Sequence, residues 1–195
     1  MKPVNGFKSE QMQNKYPMLP AGSYVASVQN VKVEGTEPDQ QLILRLEIIE
    51  GDWAGYYTKR YTHDTQNAGF NQQYQAKYKG DLKIQIPNNA NTARKFPETD
   101  LKRFNHTIWA IETSNPGYHW DWNEMGLKGK ITGLSVQEGT FNGNPYTTPA
   151  KLENVDDVRK GLVQTMKPRK PSGEAQVGPT DDMGFTPVET DSLPF

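Results

Sequence analysis

The sequence predicts an all-β domain with one or two helices: a five-stranded OB-type Greek-key barrel with a disordered C-terminal tail. Three observations carry that prediction. Five segments have strand character, a single long helical stripe falls between the third and the fourth, and the last stretch has no periodicity at all. The chain has 195 residues, enough for one domain and its tails. Only 34% of them are hydrophobic and the mean hydropathy is -0.83, so part of the chain is expected not to fold. The expected organisation is a flexible N-terminal arm over 1–18, the barrel over 19–166 with an insertion at 64–97, and an acidic tail over 167–195.

The elements follow in order. Residues 1–18 are polar and aperiodic. Order is expected from Leu19-Pro20-Ala21-Gly22, leading into a Val-rich strand from Ser23 to Val33. Glu34 to Asp39 holds Gly and Pro and reads as a turn. In residues 41–50, Leu42, Leu44, Leu46 and Ile48 alternate with Ile43, Arg45, Glu47 and Ile49, which gives one wholly aliphatic side. Gly51-Asp52 then turns the chain into a third strand, Trp53 to His63, completing an antiparallel meander. Asp64 to Pro97 is a long polar insertion whose one strand-like run is Leu82 to Ile86, stopped by Pro87. From Thr99 the period changes. Leu101, Phe104, Ile108 and Ile111 form a helical stripe, with Thr99 or Asp100 as cap and Asn115-Pro116-Gly117 as stop. An aromatic loop, Tyr118 to Trp122, leads to a fourth strand, Leu127 to Glu138, with a bulge expected at Gly133. Asn142-Gly143 signals a hairpin, and Tyr146 to Val155 is a fifth strand that Pro149 places at an edge. A short helical turn follows Asp156.

Charge is uneven. Residues 171–195 contain five acids and no base, whereas residues 1–170 carry 22 basic and 18 acidic groups, a net +4. A mildly basic body with an acidic tail fits two binding tasks, or simply a solubilising tail. The chain has no Cys, so disulfides, thiolate metal sites and Cys nucleophiles are excluded. His63, His106 and His119 fall in three different elements, and no HExxH, GxSxG, Walker lysine or GxGxxG is present. His119 with Asp121 is the nearest approach to a ligand pair, and such a loop is usually inert. No enzyme, metal or cofactor is expected. No apolar run approaches the length of a membrane span, and Met1 to Gly6 has no apolar signal region, so a soluble cytoplasmic protein is expected.

The third strand and the insertion are the informative stretch. Read as a strand, one side presents Trp53, Tyr57, Lys59, Tyr61 and His63, and the other Tyr56, Thr58, Arg60 and Thr62. The insertion adds Phe70, Tyr74, Lys77, Tyr78, Lys79 and Lys83. Aromatic rings stack on unpaired bases of any sequence, worth about 1–3 kcal/mol per base. Nearby cations neutralise phosphates and release counterions. Rings interleaved with cations are what a single-strand groove needs, so Trp53, Tyr56, Tyr57, Lys59, Arg60, Tyr61, Phe70, Tyr74, Lys77, Tyr78, Lys79 and Lys83 are the candidate DNA-binding residues. The plainer reading is that strands favour Tyr and Trp and that some of these rings, Trp53 among them, are core.

The chain ends Asp191-Ser192-Leu193-Pro194-Phe195. Apolar residues closing an acidic segment gain nothing unless they dock, and a basic pocket with an apolar floor suits a terminal Phe. This ending resembles the C-terminal tip of bacterial and phage single-stranded DNA-binding proteins. The body resembles the phage-encoded members in Leu19-Pro20-Ala21-Gly22-Ser23-Tyr24, Ile48-Ile49-Glu50-Gly51, Leu127-Lys128-Gly129-Lys130 and Asn142-Gly143-Asn144-Pro145-Tyr146. The resemblance implies an OB fold that binds single-stranded DNA in phage replication or recombination within the bacterial host's cytoplasm. It also implies that Asp191, Leu193, Pro194 and Phe195 recruit replication or recombination proteins. Two features depart from the family: Ser192 interrupts the acids of the tip, and the 64–97 insertion is foreign to the common barrel. Oligomeric state is left open. The alternative is a β-rich phage structural or carbohydrate-binding module in which Trp53, Trp120 and Trp122 stack on sugars.

Overall fold

A computed structural model describes residues 16–37, 39–67, 76–87 and 97–170. Its centre is one antiparallel five-stranded sheet in the order β3-β2-β1-β4-β5. The strands are β1 (Gly22–Glu34), β2 (Gln41–Ile48), β3 (Asp81–Gln85), β4 (Ile131–Phe141) and β5 (Asn144–Glu153). The helices are α1 (Tyr56–Asn67), α2 (Pro97–Ser114) and α3 (Val155–Arg159), with a 3-10 turn at Glu124–Leu127.

Alternation in β2 works as the sequence predicts. Leu42, Leu44, Leu46 and Ile48 are buried in one core with Val28 of β1, Leu134 and Val136 of β4 and Leu152 of β5. Each such side chain stabilises the fold by about 1.5–3 kcal/mol through burial. Phe104, Ile108 and Ile111 of α2 join this core, while Leu101 at the start of the stripe is exposed. Pro97 opens α2, two residues before the expected caps, at a position where a missing N–H costs nothing. The Asn115 side chain finishes the helix. It donates to Ile111 O and Ile131 O, both at 2.7 Å, and accepts from Ile131 N–H at 3.0 Å, so it also fixes the start of β4.

Three expectations are corrected. Trp53 to His63 is not a strand; it is a turn followed by α1, and the third strand of the meander is the run at 81–85. The sheet does not close into a barrel. β3 and β5 remain its two edges and come near each other without forming a ladder. β3 is only five residues long and Pro87 follows it closely, while Pro145 and Pro149 remove two N–H donors from β5. α2 packs against β3, β4 and β5. Lastly, Gly133 pairs in regular register with Val25 and Glu153. The extra residues fall at Gln29 in β1 and Ala150 in β5.

The hairpin at Asn142-Gly143 forms as expected, with φ of 49° and 75° at its two central residues. Hydrogen bonds hold the described chain at both of its ends. The Tyr56 hydroxyl donates to Pro17 O at 2.9 Å and accepts from Leu19 N–H at 3.0 Å, anchoring the chain before β1. At the other end Arg169 N–H donates to Glu138 O at 2.8 Å. The rest of the expected arm (1–15), much of the insertion and the tail from 171 lie outside the described residues. No helix among the described residues is long and apolar enough to cross a membrane.

Candidate nucleic-acid interface

β2 turns its second set of side chains, Ile43, Arg45 and Glu47, away from the aliphatic side. β3 pairs with it so that Asp81 lies opposite Arg45 and Lys83 opposite Ile43. Arg45 grips Asp81 through a two-pronged contact, Nε to Oδ1 at 3.0 Å and a terminal nitrogen to Oδ2 at 3.2 Å. The same guanidinium lies over the Tyr78 ring, 4.7 Å from its centroid. The Tyr61 ring from α1 stands 6.1 Å from that of Tyr78, inclined at 59°. These groups and Ala76, Lys77, Lys79, Lys83 and Thr148 of β5 line an open groove of about 540 Å³. Four cations surround it against one carboxylate. Lys83 has Glu34 at 4.0 Å, and no carboxylate among the described residues pairs with Lys77 or Lys79.

The twelve candidate DNA-binding residues divide sharply. Tyr61, Lys77, Tyr78, Lys79 and Lys83 meet at the groove. Tyr56 and Tyr57 do not, being 2% and 3% exposed, and their assignment as stacking rings is corrected. Trp53 packs edge-on to Tyr56 at 5.5 Å, on the fringe of the core. Lys59 folds back on Ala54 O, and Arg60 is held by Asp64 and the Tyr56 hydroxyl; neither lines the groove. Phe70, Tyr74, Asp191, Leu193, Pro194 and Phe195 lie outside the described residues.

Sequence reasoning missed Arg45, Asp81 and Thr148. Arg45 carried a signal: it is the one cation of β2, on the row opposite Leu42, Leu44, Leu46 and Ile48. Asp81 and Thr148 carried none, because their roles depend on which strand each one meets.

The buried Tyr57 and the half-buried Tyr78 hold their phenols well above the usual tyrosine range. Desolvation is the chief cause for both; Tyr56 comes next for Tyr57, and the Glu47 carboxylate for Tyr78. Both rings are therefore neutral at physiological pH.

Other constellations are less promising. Ser135, His106 and Glu153 come together, but the Ser135 hydroxyl donates to Glu153 at 3.0 Å and His106 Nε2 faces Leu152 O at 2.9 Å. With the hydroxyl bonded to the carboxylate and not the imidazole, no nucleophile–base relay is made. The His119 side chain stands in solvent, and among the described residues no three His, Asp or Glu side chains form a metal-sized cluster.

No protein-family model matches the chain, and no curated protein is detectably similar to it.

Proposed function

We propose that this chain is a non-catalytic, sequence-independent single-stranded DNA-binding protein of the phage type, with its strand lying in the Arg45–Tyr61–Tyr78 groove. One observation supports this above the others. Two tilted tyrosine rings share a groove with four cations and a single acid, and that acid is already engaged by Arg45. A ring so placed accepts a base of any sequence, and Lys77 and Lys79, which no carboxylate pairs with among the described residues, are available to phosphates. The order of elements supports an OB-type plan. The meander β1-β2-β3, then α2, then the hairpin β4-β5 suits a partly open five-stranded Greek-key arrangement whose seam is the approach of β3 to β5. The groove lies at that seam. Through its C-terminal likeness, the tip at Asp191, Leu193, Pro194 and Phe195 takes the role of recruiting replication or recombination proteins.

The test is a fluorescence titration with an oligo-dT strand at several salt concentrations. Tight binding at low salt is expected, with a log–log slope of about -2 to -3 if three or four phosphates are neutralised. Equal affinity for duplex DNA, or no binding at all, overturns the reading. A second reading draws on Trp122, which is 69% exposed and backed by the Phe104 ring at 5.9 Å and 16°. That surface suits a sugar ring, and glycan binding without oligonucleotide binding would favour a carbohydrate-binding module.

A further inference from the structure

We propose that Glu47 is the positioning residue of the groove, a buried carboxylate that fixes both of its tyrosine rings. The inference rests on the single-strand reading of the groove and adds to it a residue that touches no ligand.

The two rings come from unconnected segments. Tyr61 is carried by α1, and Tyr78 by the stretch that leads into β3. Both segments are fastened to β2 by the same side chain. One Glu47 carboxylate oxygen accepts from Ile48 N–H and Tyr57 N–H, each at 3.0 Å. The other accepts from Thr58 N–H at 2.8 Å, from the Thr58 hydroxyl, and from the Tyr78 hydroxyl at 3.2 Å. The donors Tyr57 and Thr58 are the second and third residues of α1. Glu47 thus caps a helix that has no acid in its own first turn, and does so from ten residues upstream. Tyr61 lies one turn further on, so its ring inherits the direction set by that cap.

Glu47 belongs to the same outward row of β2 as Arg45, yet it is 7% exposed and no cation pairs with it among the described residues. A carboxylate buried without a cation is costly and is held only by donors that fill its lone pairs. Sheet formation alone would be served by an apolar residue here. The acid instead fixes two segments whose other common feature is the groove. Tyr78 is held from both sides: its one hydroxyl proton is shared between Leu46 O at 2.9 Å and Glu47 at 3.2 Å, and Arg45 covers one face of its ring. Gly80 completes the arrangement. A Cβ there would come within 2.7 Å of the Tyr78 ring, 2.8 Å of Tyr57 and 2.5 Å of Leu46 O.

Two variants of the full chain test this, Glu47→Gln and Tyr78→Phe. The first places an amide donor among the α1 N–H groups. The second keeps the ring and removes its hydroxyl, with the bonds to both Glu47 and Leu46 O. Each is expected to weaken oligo-dT binding about fivefold or more, the scale of one displaced stacking ring. The salt slope should stay as in the native chain, because the lysines are untouched, and the double variant should lose less than the sum of the two. If Glu47→Gln does not fold, Glu47→Asp takes its place, keeping the charge but shortening its reach to Tyr57, Thr58 and Tyr78. A native chain that binds oligo-dT while the folded variants bind it equally well, even with lowered melting temperatures, overturns the inference and leaves the groove reading intact. A native chain that binds no oligo-dT removes the groove reading, and the inference with it.

Discussion

Tyr57 and Tyr61 are one helical turn apart, and they differ in everything that matters for binding. Tyr57 is shut in between Tyr56 at 5.4 Å and Tyr78 at 6.0 Å, whereas Tyr61 is 41% exposed at the groove. Only a ring with a free face contributes to stacking. Tyr61→Ala should therefore weaken oligo-dT binding by about 1–3 kcal/mol, roughly 5- to 150-fold, with little change in salt slope. Lys79→Ala should do the opposite, lowering affinity modestly and the slope by about 0.7. Titrations of both variants at two salt concentrations separate the terms, and a Tyr61→Ala protein that binds like the native chain would rule out that ring. At this scale the sequence was half legible. Lys77, Lys79 and Lys83 are polar enough to be outside in any fold. The tyrosines were not decidable, since a phenol serves equally as core or as surface and only the third dimension tells which.

The largest misreading concerns a whole element, α1. Its Tyr- and Thr-rich sequence favours a strand, and it lacks the local cap that would announce a helix. The cap is Glu47, on another element, and a cap delivered from a distance leaves no mark beside the helix it starts. The same blindness affected Gly133. A glycine in a strand suggested a bulge, but its lack of a side chain serves α3. A Cβ at Gly133 would meet Val158 Cγ2 at 2.5 Å and Glu153 O at 2.9 Å. Gly133→Ala is thus expected to destabilise by about 1–3 kcal/mol, lowering the melting temperature by roughly 3–10 °C. Adding Val158→Ala should return part of the loss by clearing the nearer contact. Thermal melts of the single and double variants check this, and an unshifted melt for Gly133→Ala would refute the packing role. Elements whose signals are local, such as β1, β2, the α2 stripe and the Asn142-Gly143 turn, were readable without the fold.

At the scale of the whole molecule, β1, β2 and β3, then α2, then the β4-β5 hairpin, wrap a core that leaves one seam between β3 and β5. The short β3 and the prolines of β5 that flank that seam were visible in the sequence; that α1 would roof the outward face of β2 was not. That roof makes a prediction about the fold as a unit. Tyr57 lies beneath it with its hydroxyl buried and without a partner among the described residues. Burial, and then the neighbouring Tyr56, lifts its phenol well above the ordinary value of 10.0. In the folded chain the proton stays on; in the unfolded chain it leaves near pH 10. Above that pH the unfolded state binds fewer protons, so stability is fully present below about pH 10 and falls as pH rises further. The slope from Tyr57 is about 1.4 kcal/mol per pH unit, and the half-exposed Tyr78 adds less in the same direction. Denaturant titrations between about pH 9 and pH 11.5 should show this decline. Tyr57→Phe removes both the ionisable proton and an unsatisfied buried hydroxyl, so it should be neutral to stabilising at pH 7 and should flatten the alkaline decline. If Tyr57→Phe keeps the native alkaline slope, the phenol is not sealed under α1, and the roof that orients Tyr61 is looser than its contacts with β2 indicate.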